Sequence, residues 1–198
     1  GTRARTAFVV TGDHGFSRVH ALIQPNVVLK QGGWLRVGDR GRIADDWQVA
    51  AHGMAIRLKD PGDAALAARV KARFDELARG RYRGIFRVVS REELDAHGAY
   101  PEAAFFVEPA EGYYVSDGVL DDAVLVGTTR RGAHGFLPTE PRMHTGLIVA
   151  GAGIRPGVPL PLVRQIDIAP TVARLLGFDM PEADGTPVVG VLAPPVPR

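Results

Sequence analysis

Apolar residues fall along this chain in continuous runs and in spaced stripes, and the two patterns predict different elements. Ala7, Phe8, Val9 and Val10 make a continuous run with β-branched members, closed by Gly12 and Gly15. A run without polar alternation predicts a strand covered on both faces. Leu147-Ile148-Val149-Ala150 is a second such run, ending in glycines, where the main sheet resumes. Towards the C-terminus, Asp167 is placed to cap a helix with Pro170 in its first turn. Ile168, Val172, Leu175 and Leu176 would face inward, and Gly177 would stop the helix.

Between these runs the pattern shortens and alternates. Gln24 to Lys30 reads as a short helix ended by Gly32 and Gly33, followed by an extended piece from Trp34 to Val37 and a polar connection from Asp39 to Asp46. Trp47 to Leu58 is strand-like and broken at His52-Gly53. Asp60-Pro61-Gly62-Asp63 is a turn with Asp63 as a helix cap. Leu66, Val70, Phe74 and Leu77 then recur at helical spacing up to Gly80. Ile85 to Val89 reads as a strand, and Ser90 caps a short helix with Glu93 three residues on. Ala103 to Val107 and Tyr113 to Val115 have the pattern of a hairpin across Pro109 to Gly112. Trp47 to Ser116 would thus form a small α+β insertion (47–116) in a domain that takes in residues 1–198. A Pro-rich C-terminal tail is expected to be extended.

Composition narrows the function classes. With 198 residues, 45% hydrophobic and 23% charged, the chain can bury one substantial core. The net charge is +2 with both signs interspersed, so there is no clustered basic face of the kind that binds nucleic acid. The absence of cysteine excludes disulfides and thiolate metal sites, and leaves imidazole and carboxylate as the ligands available to a metal. No apolar run reaches membrane length. Gly1 to Arg5 is polar and leads straight into a strand, the pattern expected of a piece cut from a longer protein.

Gly151 to Gly157 follows a strand, but its glycine spacing and Pro156 exclude a dinucleotide fingerprint, and there is no Walker A or G-x-S-x-G sequence. The candidate chemistry lies in histidines. Asp13-His14-Gly15 and His134-Gly135-Phe136 are both His-Gly turns flanked by glycine, one directly after the first strand and one shortly before the strand at Leu147. Strand ends in open α/β sheets are where ligands bind. Neutral imidazole and carboxylate suit zinc, manganese or iron, while the plainer reading of each motif is a capped turn or a satisfied histidine. His144 is a candidate to line the pocket or donate to substrate, with a structural hydrogen bond as its alternative. His52 sits where a strand turns, and His20 and His97 read as surface or partly buried positions with no partner in the sequence. Arg130 and Arg131 could meet a phosphate or simply face water.

Taken in order, VVTGDHGF, GAHGF, MHTGLIVAGAGIRPG and RQIDIAPTVARLLGFDMPEADG resemble the C-terminal half of type I phosphodiesterase/nucleotide pyrophosphatase proteins, members of the alkaline phosphatase superfamily. The resemblance extends over nearly the whole chain, including GMAIRLKDP and the helix after it. It implies an α/β fold, the C-terminal part of an alkaline phosphatase-like sandwich around a mostly parallel sheet, carrying two divalent metal ions, usually zinc. Asp13 and His14 would then be ligands of the metal that also contacts the nucleophile, and His134 a ligand of the other.

The same resemblance sets limits. The family's nucleophilic Thr or Ser, its first metal-binding Asp and its Asp-x-x-x-His pair lie upstream of the DHG motif, and nothing in Gly1 to Gly12 matches them. No nucleophile is assigned: Ser17, Thr128 and Thr145 lack the motif context. The implied function is metal-dependent hydrolysis of phosphate diester or pyrophosphate bonds in nucleotide-like substrates, with the missing N-terminal part of the same protein as partner and a periplasmic or secreted location. A phosphomonoesterase, sulfatase or phosphonate hydrolase would share the ligands. A non-catalytic metal-binding or interaction module holding Asp13, His14 and His134 is the alternative from another class.

Overall fold

A computed structural model describes residues 5–194, so the last four residues of the Pro-rich tail lie outside the described part. The chain forms two compact units, residues up to Asp13 with those from Thr145 onward, and His14–His144.

In the first unit, β1 (Ala7–Thr11) pairs antiparallel with β10 (Leu147–Gly151), in a register that sets Val9 opposite Val149. The helix α4 (Ile168–Leu176) supplies Ile168, Thr171 and Val172, which line a small apolar cavity with Val9, Leu147, Val149 and Val191. That covers one face of the ribbon only. Phe8, Val10 and Ile148 are exposed, because alternation along a strand sends them to the opposite side. Within this chain the strand is therefore covered on one face, where the continuous apolar run predicted cover on both. Two expectations about α4 also need correction. Leu176 is 68% exposed, because helical spacing turns it away from the stripe that buries Pro170, Thr171 and Ala173. The Asp167 side chain makes no cap bond to the helix. It accepts instead from Arg164 Nη2 (2.8 Å) and the Thr186 N–H (2.8 Å), and so ties the helix start to the segment beyond it.

The second unit holds two four-stranded sheets. β2 (Ser17–Ile23) is the hub of one. It pairs parallel with β7 (Gly112–Val115) and antiparallel with β8 (Leu125–Gly127) and β9 (Gly132–Ala133). The other sheet runs β3 (Val49–His52), β4 (Ala55–Leu58), β6 (Phe105–Pro109), β5 (Phe86–Val89), with every ladder antiparallel. β2–β7 is the parallel ladder among the described residues. The hairpin expected between β6 and β7 does not form: β6 lies between β4 and β5, and β7 leaves for β2. Continuous burial along β6 explains this, since a fully covered strand takes an interior place in a sheet.

Local signals account for the helices. Asp63 accepts the Leu66 N–H (2.8 Å) to start α2 (Ala64–Arg79), and Ser90 accepts the Glu93 N–H (3.2 Å) to start α3 (Arg91–Ala96). α2 sets Leu66, Val70, Phe74 and Leu77 into one core with Ile56, Phe105 and Val107, and with residues of α1 (Pro25–Gln31). Asn26 on α1 is fully buried and brackets Ala51, donating to its carbonyl (3.2 Å) and accepting from its N–H (2.8 Å). The opposite face of the β4–β6 pair presents Ala55 and Phe106 to a second core that contains Val19, Val115, Ala133, Phe136, Leu137 and Met143. Through that core the sheet supports the loop that carries His134.

Candidate active site

β1 delivers the chain to Gly12 and Asp13. In that unit Gln165 Nε2 donates to the Asp13 carbonyl (2.9 Å), and the Thr145 hydroxyl donates to the Gly12 carbonyl (3.0 Å). Asp13 itself is exposed. The next residue, His14, opens the second unit, and there it meets His134. The two imidazoles stack with centroids 3.9 Å apart and planes 11° from parallel.

The β2–β9 ladder causes this meeting. Its register pairs Arg18 with Gly132 and Ser17 with Ala133, so the next step outward sets Phe16 against His134. Phe16 lies edge-on to His134 at 5.3 Å and tilted to His14 at 5.5 Å, and it remains 65% exposed. Phe16 thus packs on the candidate pair, a neighbour that the sequence pattern did not single out although it sits inside the DHGF motif.

Each histidine loop is fastened from behind. The Gly15 N–H donates to the Met143 carbonyl (2.9 Å), and a Cβ at Gly15 would lie only 1.9 Å from the Arg142 carbonyl oxygen. Glycine is required there by close approach of two backbones. Gly135 is required for another reason, a φ of +92°. The Arg142 guanidinium lies 5.9 Å over the Phe136 ring and donates to Glu140 (2.6 Å). Glu108 of β6, buried in the second core's wall, accepts the Leu137 N–H (3.1 Å). Burial pushes the Glu108 carboxyl up to about 6, against the Leu137 hydrogen bond that lowers it. A lone acid inside the run Phe105–Pro109 was the signal that could have drawn attention to it.

The remaining candidates are held in other ways. His144 Nε2 lies 3.2 Å from the Pro138 carbonyl, His52 Nδ1 is 3.6 Å from Asp117 Oδ2, and His20 packs on Tyr113. Arg130 lies 5.6 Å over the Tyr114 ring, and the Thr128 hydroxyl accepts the Arg130 N–H (3.1 Å). Buried Ser17 and exposed Thr145 bond to carbonyls, as turn and strand residues do.

The model of the family described as type I phosphodiesterase / nucleotide pyrophosphatase matches residues 1–137. The chain belongs to this family. No curated protein matches the chain significantly. Among solved structures it is similar to murine ectonucleotide pyrophosphatase / phosphodiesterase 5, with a TM-score of 0.63 and 17% identity over 94% of this chain and 45% of that one. The human counterpart gives a TM-score of 0.59 and 19% identity, covering 95% of this chain and 46% of the other. The alkaline phosphatase PafA gives 0.60 and 16%, covering 96% and 39%. These likenesses establish an alkaline phosphatase-like fold. The chain spans less than half the length of each of these structures.

In a member of the type I phosphodiesterase / nucleotide pyrophosphatase family, the histidine pair is the place to test for metal. A carbonyl can only accept, so the 3.0 Å contact between His14 Nδ1 and the Gly15 carbonyl requires the proton on Nδ1. That tautomer puts the coordinating lone pair on Nε2, as a metal-ligating imidazole needs. Among the described residues no three His, Asp or Glu side chains gather closely enough to hold a cation. The imidazole pair offers donors of a type that suits a metal, but it is less than a full coordination set.

Proposed function

We propose that this chain is the C-terminal part of a metal-dependent hydrolase of phosphate diester or pyrophosphate bonds. In this reading Asp13, His14 and His134 are its contribution to a site for two divalent cations, zinc foremost. The observation that carries the proposal is the stacking of His14 on His134 across about 120 residues of sequence. A murine relative of the same fold that binds AMP supports nucleotide-like substrates. When bound, such cations clamp the attacking and leaving oxygens of an in-line displacement at phosphorus.

The chain's own residues would prepare that site. The Nδ1–H of His14, held on the Gly15 carbonyl, fixes the ring's tautomer and direction. Phe16 walls one side of the pair. Exposed Arg130 and Arg131 make the preceding loop positive, which attracts an anionic ester. The apolar face of Phe8, Val10 and Ile148 supports packing against an N-terminal part of the same protein. No described helix is long and apolar enough to cross a membrane. A periplasmic or secreted location is in keeping with the ectonucleotide relatives.

The test is hydrolysis of an aryl phosphodiester, an aryl phosphomonoester and an aryl sulfate by the full-length protein, with zinc and with chelator. The diester should be turned over fastest and the chelator should stop it. His14→Ala and His134→Ala should each lower turnover on the order of 10³-fold or more, because residues acting as one unit fail together. His144→Ala should keep most of it. Preference for the monoester, which the likeness to PafA would favour, or for the sulfate would replace the diester reading. Metal binding with no hydrolysis of any ester would leave a binding module. The 198-residue chain alone should not exceed zinc-containing buffer.

A further inference from the structure

Glu108 has no part in the reaction proposed above, yet its surroundings are unusual for a structural residue. It is 4% exposed in a strand whose five residues are all buried, where an ionised group is costly unless paired. One carboxylate oxygen accepts the Leu137 N–H; the other has no hydrogen-bond partner among the described residues. Its natural counter-charge is taken. Arg87 stands directly across the β5–β6 ladder, but gives both guanidinium arms to Glu93 (3.0 and 2.8 Å). The other charged neighbour is Glu140, bound to Arg142, which also lies 3.5 Å from Glu111. A carboxylate is thus kept on the N–H three residues beyond His134, against its own solvation, with Arg87 across the ladder the cation that favours its charge and Glu140 and Glu93 opposing it.

We propose that Glu108 is a positioning residue for His134: its carboxylate clamps the Gly132–Leu137 segment to the β6 sheet and so holds the His134 ring on His14, with a grip that depends on its ionisation. An ionised acceptor makes a hydrogen bond roughly twice as strong as a neutral one. With the carboxyl pushed up to about 6, both forms are populated in mild acid. The clamp closes on the far side of Phe136 and Leu137, which belong to the same buried cluster as Met143, the residue that fastens Gly15. One side chain thereby bears on both histidine loops. The proposal deepens the functional reading only in treating His134 as a site residue.

The test uses the full 198-residue chain without metal or substrate, so that it can fail independently of that reading. Backbone NMR between pH 4.5 and 8 should show the Leu137 amide shifting in one step centred near pH 6, together with the Glu108 carboxyl carbon. In Glu108→Gln, which keeps the shape and one acceptor, the Leu137 step should vanish while the ring-to-ring NOE between His14 and His134 persists. In Glu108→Leu the Leu137 amide should exchange about tenfold faster, the loss of one hydrogen bond, and the NOE should weaken. A Leu137 amide that does not titrate, or titrates equally in Glu108→Gln, overturns the proposal. So does an undiminished His14–His134 NOE in folded Glu108→Leu.

Discussion

Substituting Gly15 by Ala changes one hydrogen into a methyl, and the structure gives it nowhere to go. The new Cβ would lie 1.9 Å from the Arg142 carbonyl oxygen, 2.9 Å from its carbon and 3.0 Å from the Met143 Cα. Real Cβ contacts stay beyond 3.0 Å, so one backbone must retreat by about 1 Å. Arg142 resists, since its guanidinium is bound to Glu140 and stacked over Phe136. The His14–Phe16 loop must therefore move, stretching the Gly15 to Met143 hydrogen bond. Overpacking of this size costs about 1–3 kcal/mol, and a lost hydrogen bond adds about 0.5–1.5 kcal/mol. Urea unfolding followed by tryptophan fluorescence reads this unit, because Trp34 and Trp47 both lie in it. A loss of about 2–3 kcal/mol would lower the midpoint by roughly 1–2 M for an ordinary urea dependence. The His14–His134 NOE should disappear. A stability change under about 0.5 kcal/mol with that NOE intact would refute the argument that this approach fixes the loop.

Two further substitutions test the electrostatics. The raised carboxyl of Glu108 means that the folded state holds its proton more tightly than the unfolded chain, so its contribution to stability is full below about 4.5 and is lost as pH rises through about 6. That difference amounts to about 2 kcal/mol. Urea midpoints of the wild type should fall across this window relative to Glu108→Gln, and parallel curves would contradict it. Asp167 has the opposite sign. The Arg164 hydrogen bond, then that from Thr186, holds its carboxyl below the usual range, so its contribution is present above about 3.8 and is lost as pH falls further. Asp167→Ala should cost about 0.5–1.5 kcal/mol by removing the acceptor of the Thr186 N–H, which water can partly replace because Thr186 is exposed. Hydrogen exchange at Thr186 and Val188 is the measurement, because the first unit has no tryptophan.

The elements most legible in the sequence are those set by neighbours along the chain. α2 and α3 begin at Asp63 and Ser90, whose oxygens bond to N–H groups three residues on. The β3–β4 break falls at His52-Gly53, where Gly53 has a φ of +55°. β2 was harder to see, although Ser17, Val19, Ala21 and Ile23 alternate with exposed or half-buried residues as a one-faced strand should. It follows so closely on the DHG motif that its alternation reads as part of the loop. Asp167 shows a different limit. Its position fits a helix cap, but Arg164 and Thr186 compete for the same oxygens, and the Thr186 N–H comes from 19 residues away.

With a family resemblance bringing Asp13, His14 and His134 forward as candidates, the sequence by itself determined where helices start and which residues are apolar. Each of these depends on residue type and on bonds that close within a few positions. Tertiary structure decided which strands are partners and hence which side chains meet. β7 joins β2 although β6 is nearer in sequence, and β1 has one face uncovered. The β2–β9 register brings His134 against Phe16 and His14. Such pairings are set by ladders and buried surfaces formed between segments about 100 residues apart, and nothing in the local pattern on either side specifies the partner.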